Sequence, residues 1–231
     1  MTPKLARPAA QRGALAILTF TVLASSPGCE RWVVGDGVFA ESARNVATFT
    51  GLRVENGIEV NVASGAGSQA VRVSGDENVL QYVKTTVVDD PLGPTLSVKT
   101  TVHHVESTHP LLVTVDVQAF DHVEADDGAR VSVENATAGT FTVWANEGAS
   151  VELAGSGGAH LDATVSGSAR LDARSWVAGD ARVALVDGGE ALLHVDGDVT
   201  GTVGSRAMLE NDGEGPCQVT SSSDATIDCG P

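Results

Sequence analysis

From residue 45 onward, apolar and polar positions alternate with a period of two, and each run is cut short by Gly, Asp, Asn or Ser. The first two runs are Thr48-Phe49-Thr50-Gly51-Leu52-Arg53-Val54 and Ile58-Glu59-Val60-Asn61-Val62. Successive side chains of a strand point to opposite faces, so this alternation predicts half-buried strands joined by tight turns. Runs over 70–73, 83–88, 95–102 and 111–117 read the same way, with Pro91 and Pro94 marking a loop. No stretch carries a convincing helical period. With 26 Gly and few long helix formers, a helix bundle is disfavoured.

The second half repeats itself. Gly128-Ala129-Arg130-Val131-Ser132-Val133 returns as Gly148-Ala149-Ser150-Val151-Glu152-Leu153, as Gly158-Ala159-His160-Leu161-Asp162-Ala163 and as Ser168-Ala169-Arg170-Leu171-Asp172-Ala173. Apolar residues fall at 131, 141, 151, 161 and 171, then after a two-residue slip at 183 and 193. Ten residues hold one short strand and a turn, too little to close a coil around a core, so two units make one coil. The expected fold is all-β: a right-handed parallel β-helix, or solenoid, of about 20 residues per coil over 45–214. Val131, Val151 and Leu171 would stack in one interior column, facing Phe141 and Leu161. Ser132, Glu152 and Asp172 would form an exposed ladder between Arg130 and Arg170. A β-sandwich is the alternative, though it explains the spacing poorly.

Residues 1–28 contain Lys4, Arg7 and Arg12 but no acid, then an apolar run over 13–24, then Ser25-Ser26-Pro27-Gly28-Cys29. The apolar run is too short for a permanent membrane span and is followed by small residues, as in an export signal. The Gly28-Cys29 junction resembles the lipobox of bacterial lipoproteins, which predicts signal removal and lipidation of Cys29. Ser26 stands where that motif usually has Leu, so simple cleavage near Ala24 is the other reading. The remaining cysteines, Cys217 and Cys229, lie close together and are expected to pair in an oxidising compartment, with three unrelated thiols as the alternative. Residues 29–44 then form a linker and 215–231 a disulfide-closed tail.

Losing Lys4, Arg7 and Arg12 leaves eleven basic residues against thirty acidic ones, a net charge of −19. Such a field repels phosphate backbones, so nucleic acid is not an expected partner. The membrane would be reached through the lipid on Cys29.

The segments Gly35-Asp36-Gly37-Val38, Ser42-Ala43-Arg44-Asn45-Val46, Phe49 through Val60 and Val71 through Leu80, with the Gly-rich repeats after Asp126, resemble the head GIN domain family (DUF2807), which carries an adhesin label. The resemblance implies a bacterial envelope protein, often a lipoprotein, with a β-helical fold. It supplies no catalytic or ligand-binding residues, and it does not reach the tail from Gly215.

Little in the chain reads as chemistry. Asp126-Asp127, Asp196-Gly197-Asp198 and Asn211-Asp212-Gly213-Glu214 offer oxygen ligands to calcium, but Asp beside Gly is also what turns require, and no EF-hand loop is present. His103, His104 and His109 are close in sequence, yet neighbours on a strand point to opposite faces. No nucleophile elbow and no helix-capping phosphate loop occurs. No catalytic residue, metal ligand or cofactor is assigned. The leading expectation is a non-catalytic envelope lipoprotein, at the outer membrane or cell surface, presenting the solenoid surface to a glycan or protein ligand. Without acylation it would be periplasmic or secreted. The alternatives are a polysaccharide-degrading β-helix enzyme using Glu152, Asp162, Asp172 and Arg170, and a structural or sensory lipoprotein acting through a protein partner.

Overall fold

A computed structural model describes residues 32–230; the expected signal over 1–28 and the acylation of Cys29 lie outside these residues. The strands of the first half are β1 (Trp32–Val34), β2 (Phe39–Arg44), β3 (Gly51–Val54), β4 (Glu59–Ser64), β5 (Ala70–Asp76), β6 (Val83–Asp90), β7 (Gly93–Thr100), β8 (His104–Glu106) and β9 (Leu112–Val117). Those of the second half are β10 (His122–Ala125), β11 (Arg130–Glu134), β12 (Thr140–Ala145), β13 (Ser150–Ala154), β14 (Gly158–Val165), β15 (Arg170–Leu185), β16 (Glu190–Val195), β17 (Val199–Val203), β18 (Met208–Asn211), β19 (Cys217–Ser221) and β20 (Thr226–Cys229). Eighteen strands join in one nearly closed, barrel-like sheet, and β1 pairs with β8 apart from it.

The ladders follow the repeat. Val131 of β11 pairs in parallel with Val151 of β13, which pairs with Leu171 of β15. Phe141 of β12 pairs with Leu161 of β14 and this with Ala181 of β15. The chain thus re-enters the same ladder every twenty residues through this region. These in-register parallel pairs are not the antiparallel pairing of a β-sandwich. All of the inward positions just named are at most 2% exposed.

The apolar residues at 183 and 193 mark no slip in the ladder. Val183 pairs with Ala163, and Leu193 with Ala173, each twenty residues apart. Leu161 and Ala163 are inward positions two residues apart, as are Leu171 and Ala173, and twenty residues on the first of each pair is small, Ala181 and Ala191. The larger residue at the second position therefore moves the apparent pattern without moving the register. The true change comes later. Ala181 pairs with Val199, and Ala191 with Leu209, eighteen residues on.

Residues 29–44, expected to be a linker, contain β1 and β2. Strand β2 runs antiparallel to β5, and β5 antiparallel to β9, while β6 and β7 form an antiparallel hairpin. The N-terminal end is therefore a mixed cap on the parallel stack. The expected tail over 215–231 likewise continues the stack: β19 pairs with β17 and β20 with β18. A disulfide between Cys217 and Cys229, with Cα atoms 6.0 Å apart, ties these last two strands together.

Two places show how tightly the core is filled. Trp176 is fully buried at the bulge in β15, its indole N–H donating to the Ala136 carbonyl at 2.9 Å, and its ring meets Phe141 edge-on at 5.9 Å. A Cβ on Gly158 would press on that ring. On β10, the buried imidazole of His122 lies over Gly51 of β3, where a Cβ would overlap the ring. Its two nitrogens hold it there, 2.6 Å from Asp121 Oδ1 and 2.8 Å from Thr95 Oγ1.

Gly51→Ala should therefore destabilise the protein by about 1–3 kcal/mol through overpacking. His122→Ala should relieve the overlap, so urea denaturation of the double variant should show a cost well below the sum of the two single ones. Simple additivity would show that steric overlap with His122 is not the cause.

Candidate functional site

The N-terminal cap carries a cleft of about 450 Å³, lined among others by Asn56, Glu59, His103, His104, Ser107 and Arg130. Strand β8 places His104 at its rim, where the imidazole meets the Trp32 ring at 4.4 Å. His109 belongs to a different cluster. Its Nδ1 lies 2.6 Å from Asp76 Oδ1, and its ring meets Phe39 at 5.6 Å. The three histidines thus do not converge, and among the described residues no three His, Cys, Asp or Glu side chains are grouped to hold a metal ion.

Asp76, at the end of β5, is the hub beneath the cap. Its carboxylate is fully buried and accepts hydrogen bonds from the Ser107 hydroxyl at 3.0 Å and from the backbone N–H groups of Thr108 at 2.7 Å and His109 at 3.3 Å. Burial alone would push this carboxyl up. The bonds from His109, Thr108 and Ser107 outweigh it and hold the pKa at about 2. A carboxylate in this setting organises the loop over 107–109 that passes the cleft.

On the outer face of the parallel stack, Asn61, Ser132, Glu152 and Asp172 occupy successive strands in one ladder. Glu59, Arg130, Ser150, Arg170 and Glu190 form a parallel one beside it. The stacked carboxylates at 152 and 172 are relieved by arginines: Arg174 grips both oxygens of Asp172, at 3.0 and 2.5 Å, and Arg170 lies 3.6 Å away while also pairing with Glu190. The Arg174 hydrogen bonds, helped by Arg170, hold Asp172 below the usual carboxylate range. Asp162 is not part of this face. It lies in a different ladder, with Thr142 and Arg182.

The aspartate-rich turns are occupied by turn chemistry. Asp126 Oδ1 accepts from the Asp127 N–H at 2.8 Å and from the Asn146 amide at 3.4 Å. Asp212 pairs with His194 at 2.8 Å, and Asp198 accepts from Gln218 at 3.2 Å. Buried Asn211 is bonded to Val195, Gly213 and Gly215. The array Thr95, His122, Asp121 has the order of a nucleophilic triad, but Thr95 is 1% exposed and its hydroxyl also donates to the Gly93 carbonyl at 3.0 Å. It braces the core and offers no accessible nucleophile.

Sequence reasoning passed over Asp76 and over Trp32, Val34, Val38 and Phe39, four exposed side chains in the region taken as a linker. The signal was available for the second group as a cluster of apolar residues soon after Cys29; Asp76 looked like any turn aspartate.

The family model described as "Putative auto-transporter adhesin, head GIN domain" matches residues 48–215. A putative adhesin from Bacteroides fragilis NCTC 9343 shares the fold with a TM-score of 0.63 at 13% identity, over 85% of this chain and 99% of that one. A putative adhesin from Parabacteroides merdae ATCC 43184 aligns with a TM-score of 0.47 at 14% identity, covering 85% and 98%. A putative lipid binding protein from Parabacteroides distasonis ATCC 8503 aligns at 0.43 and 13%, covering 85% and 99%. No curated protein matches the chain.

Because its folded pKa lies below the ordinary carboxylate value, Asp76 adds stability that is complete above about pH 4 and is lost as pH falls through about 2. Asp76→Asn should lower the urea midpoint at neutral pH, and the gap to the unmodified protein should shrink steadily on acidification across that window. A gap that stays constant down to about pH 2 would show that the ionised carboxylate is not what holds the loop.

Proposed function

We propose that this chain, which belongs to the head GIN domain family, is a non-catalytic envelope lipoprotein, acylated at Cys29, that presents a stacked β surface for adhesion to a glycan or protein ligand. In this reading the parallel stack is a right-handed solenoid, the hand that parallel crossovers overwhelmingly adopt. One observation carries the proposal: the ladder Asn61, Ser132, Glu152, Asp172 sets short polar side chains on successive strands, in register, on an outward face. Strands fix such groups ~4.8 Å apart, so the face is a rigid, periodic array suited to an extended ligand.

The geometry favours binding over hydrolysis. A polysaccharide hydrolase needs one carboxyl kept protonated as a general acid. Asp172 is instead held ionised by Arg174, and Asp162 lies in a different ladder from Glu152. The reading of residues 1–28 as an export signal and of Cys29 as acylated supports placement in the cell envelope, at the outer membrane or cell surface in this proposal.

Two measurements test this. Labelling cells with an alkyne fatty acid should tag the protein and move it to the membrane fraction, and Cys29→Ala should abolish both effects. Glycan-array and whole-cell binding by the mature protein should fall about tenfold or more in a Ser132→Trp, Glu152→Lys variant with an unchanged melting curve, the loss expected when a contact face is blocked. Binding at background in both proteins would refute the adhesive role.

A further inference from the structure

Four large apolar side chains among the described residues are more than half exposed: Trp32 at 62%, Val34 at 59%, Val38 at 52% and Phe39 at 59%. Every other exposed large apolar side chain described reaches 42% or less. Single exposed apolar residues are ordinary; a concentration of the four most exposed within eight residues is not. The segment starts three residues beyond Cys29.

These side chains are held outward by a fixed backbone. Strand β1 is in register with β8, and Val33, between Trp32 and Val34, packs inward with Val79 and Val102. The Gly35 N–H donates to the Glu106 carbonyl at 2.7 Å. The Asn78 side chain bridges the following turn, accepting from the Asp36 N–H at 3.1 Å and donating to the Val34 carbonyl at 2.8 Å. The Glu77 N–H donates to the Val38 carbonyl at 2.8 Å, and Phe39 sits in register with Asp76. Trp32 and Phe39 each have one edge against a histidine, at His104 and His109, which gives both rings a polar neighbour beside an open face.

We propose that this end of the molecule docks on the lipid surface itself, with Trp32, Val34, Val38 and Phe39 entering the headgroup region. The proposal rests on acylation of Cys29. Only Glu30 and Arg31 separate that residue from Trp32. A chain extends at most ~3.6 Å per residue, so Trp32 lies within about 11 Å of the anchor. The headgroup layer is roughly 5–8 Å deep on each side, so a segment tethered this closely is held at its surface. Tryptophan prefers this layer, where its ring is half in hydrocarbon and its N–H in water. Asp36, Glu41 and Glu77 flank the apolar side chains, and the mature body carries a net charge of −19, so the surface that fits is zwitterionic rather than anionic.

The test uses the mature acylated protein in phosphatidylcholine vesicles whose acyl chains are brominated. Bromine should quench the indole emission, and Trp32→Phe should remove most of that quenching, since Trp176 is buried in the core and Trp144 lies out on β12. Val38→Ser with Phe39→Ser, which changes only exposed side chains, should cut the Trp32 quenching to roughly half or less while leaving the circular dichroism unchanged. An acylated protein whose Trp32 is unquenched overturns the docking and leaves the anchor standing. Mass spectrometry that finds no acyl chain on Cys29 removes the anchor and this proposal together. A concentration-dependent dimer of Cys29→Ala that is dissolved by Phe39→Ser in sedimentation would give the patch to a second copy and overturn the lipid assignment.

Discussion

Two consecutive short strands cannot bury their own apolar residues, and the rest of this structure follows from that constraint. Val151 is covered only because Val131 lies on one side of it and Leu171 on the other, and the strand's backbone N–H and C=O groups are likewise met by the neighbouring turns of chain. Stability in such a stack is a sum of contacts between neighbours, so the ends are its weak points, each exposing a strand edge and half of a layer. The two ends are closed differently here. At the start, β2, β5 and β9 pair antiparallel and the β6–β7 hairpin folds against the parallel strands. At the finish, the disulfide between Cys217 and Cys229 joins β19 to β20, the last two strands of the stack, where Ile227 continues the column of Leu209 but is left 37% exposed.

The same stacking forbids local freedom in the interior. Each inward position lies beside the equivalent position of the paired strands, so the bulkiest rings take space that glycine leaves open. Trp176 occupies space that Gly158 leaves open, and His122 the space above Gly51. His122 is polar and buried, and it is tolerated because both ring nitrogens find partners in Asp121 and Thr95. Outside, stacking brings like groups together, and Glu152 beside Asp172 would be a repulsive pair without Arg170 and Arg174. Arginines interleaved with acids make a regular exposed ladder compatible with a strongly acidic chain.

How much of this was legible from residues alone depended on whether the information was periodic. Val131, Val151 and Leu171 announced their column because the same chemistry returned at a fixed spacing, and Ser132, Glu152 and Asp172 came with it. The stretch around 183 and 193 was misread because either inward position of a strand can hold the larger residue, a choice that leaves the register unchanged. The segment over 29–44 lacks a repeat, so nothing in it announced that β2 would find β5 across thirty residues of chain. Asp76 is the plainest case. As text it is one more aspartate after a glycine, and only the return of residues 107–109 from across the cap makes it a buried carboxylate with four hydrogen-bond donors around it.

That cap also explains why surfaces of two kinds coexist in one small chain. A parallel stack offers faces that are polar, repetitive and far from any edge, and an acidic one keeps such faces hydrated and apart from anionic surfaces. Its non-repetitive end is free of the stacking rule and exposes large apolar side chains more fully than the parallel strands do, as at Trp32 and Phe39. Those residues need rigid support to stay outward, since an unsupported apolar segment would collapse onto the nearest core. The support is the Asp76 network: it pins residues 107–109, which carry His109 against Phe39, and β8 just before them carries His104 against Trp32. The buried Asp76 carboxylate thus stands behind the loop that carries His109 against Phe39, and loosening it would be felt first at the exposed apolar side chains rather than in the ladders.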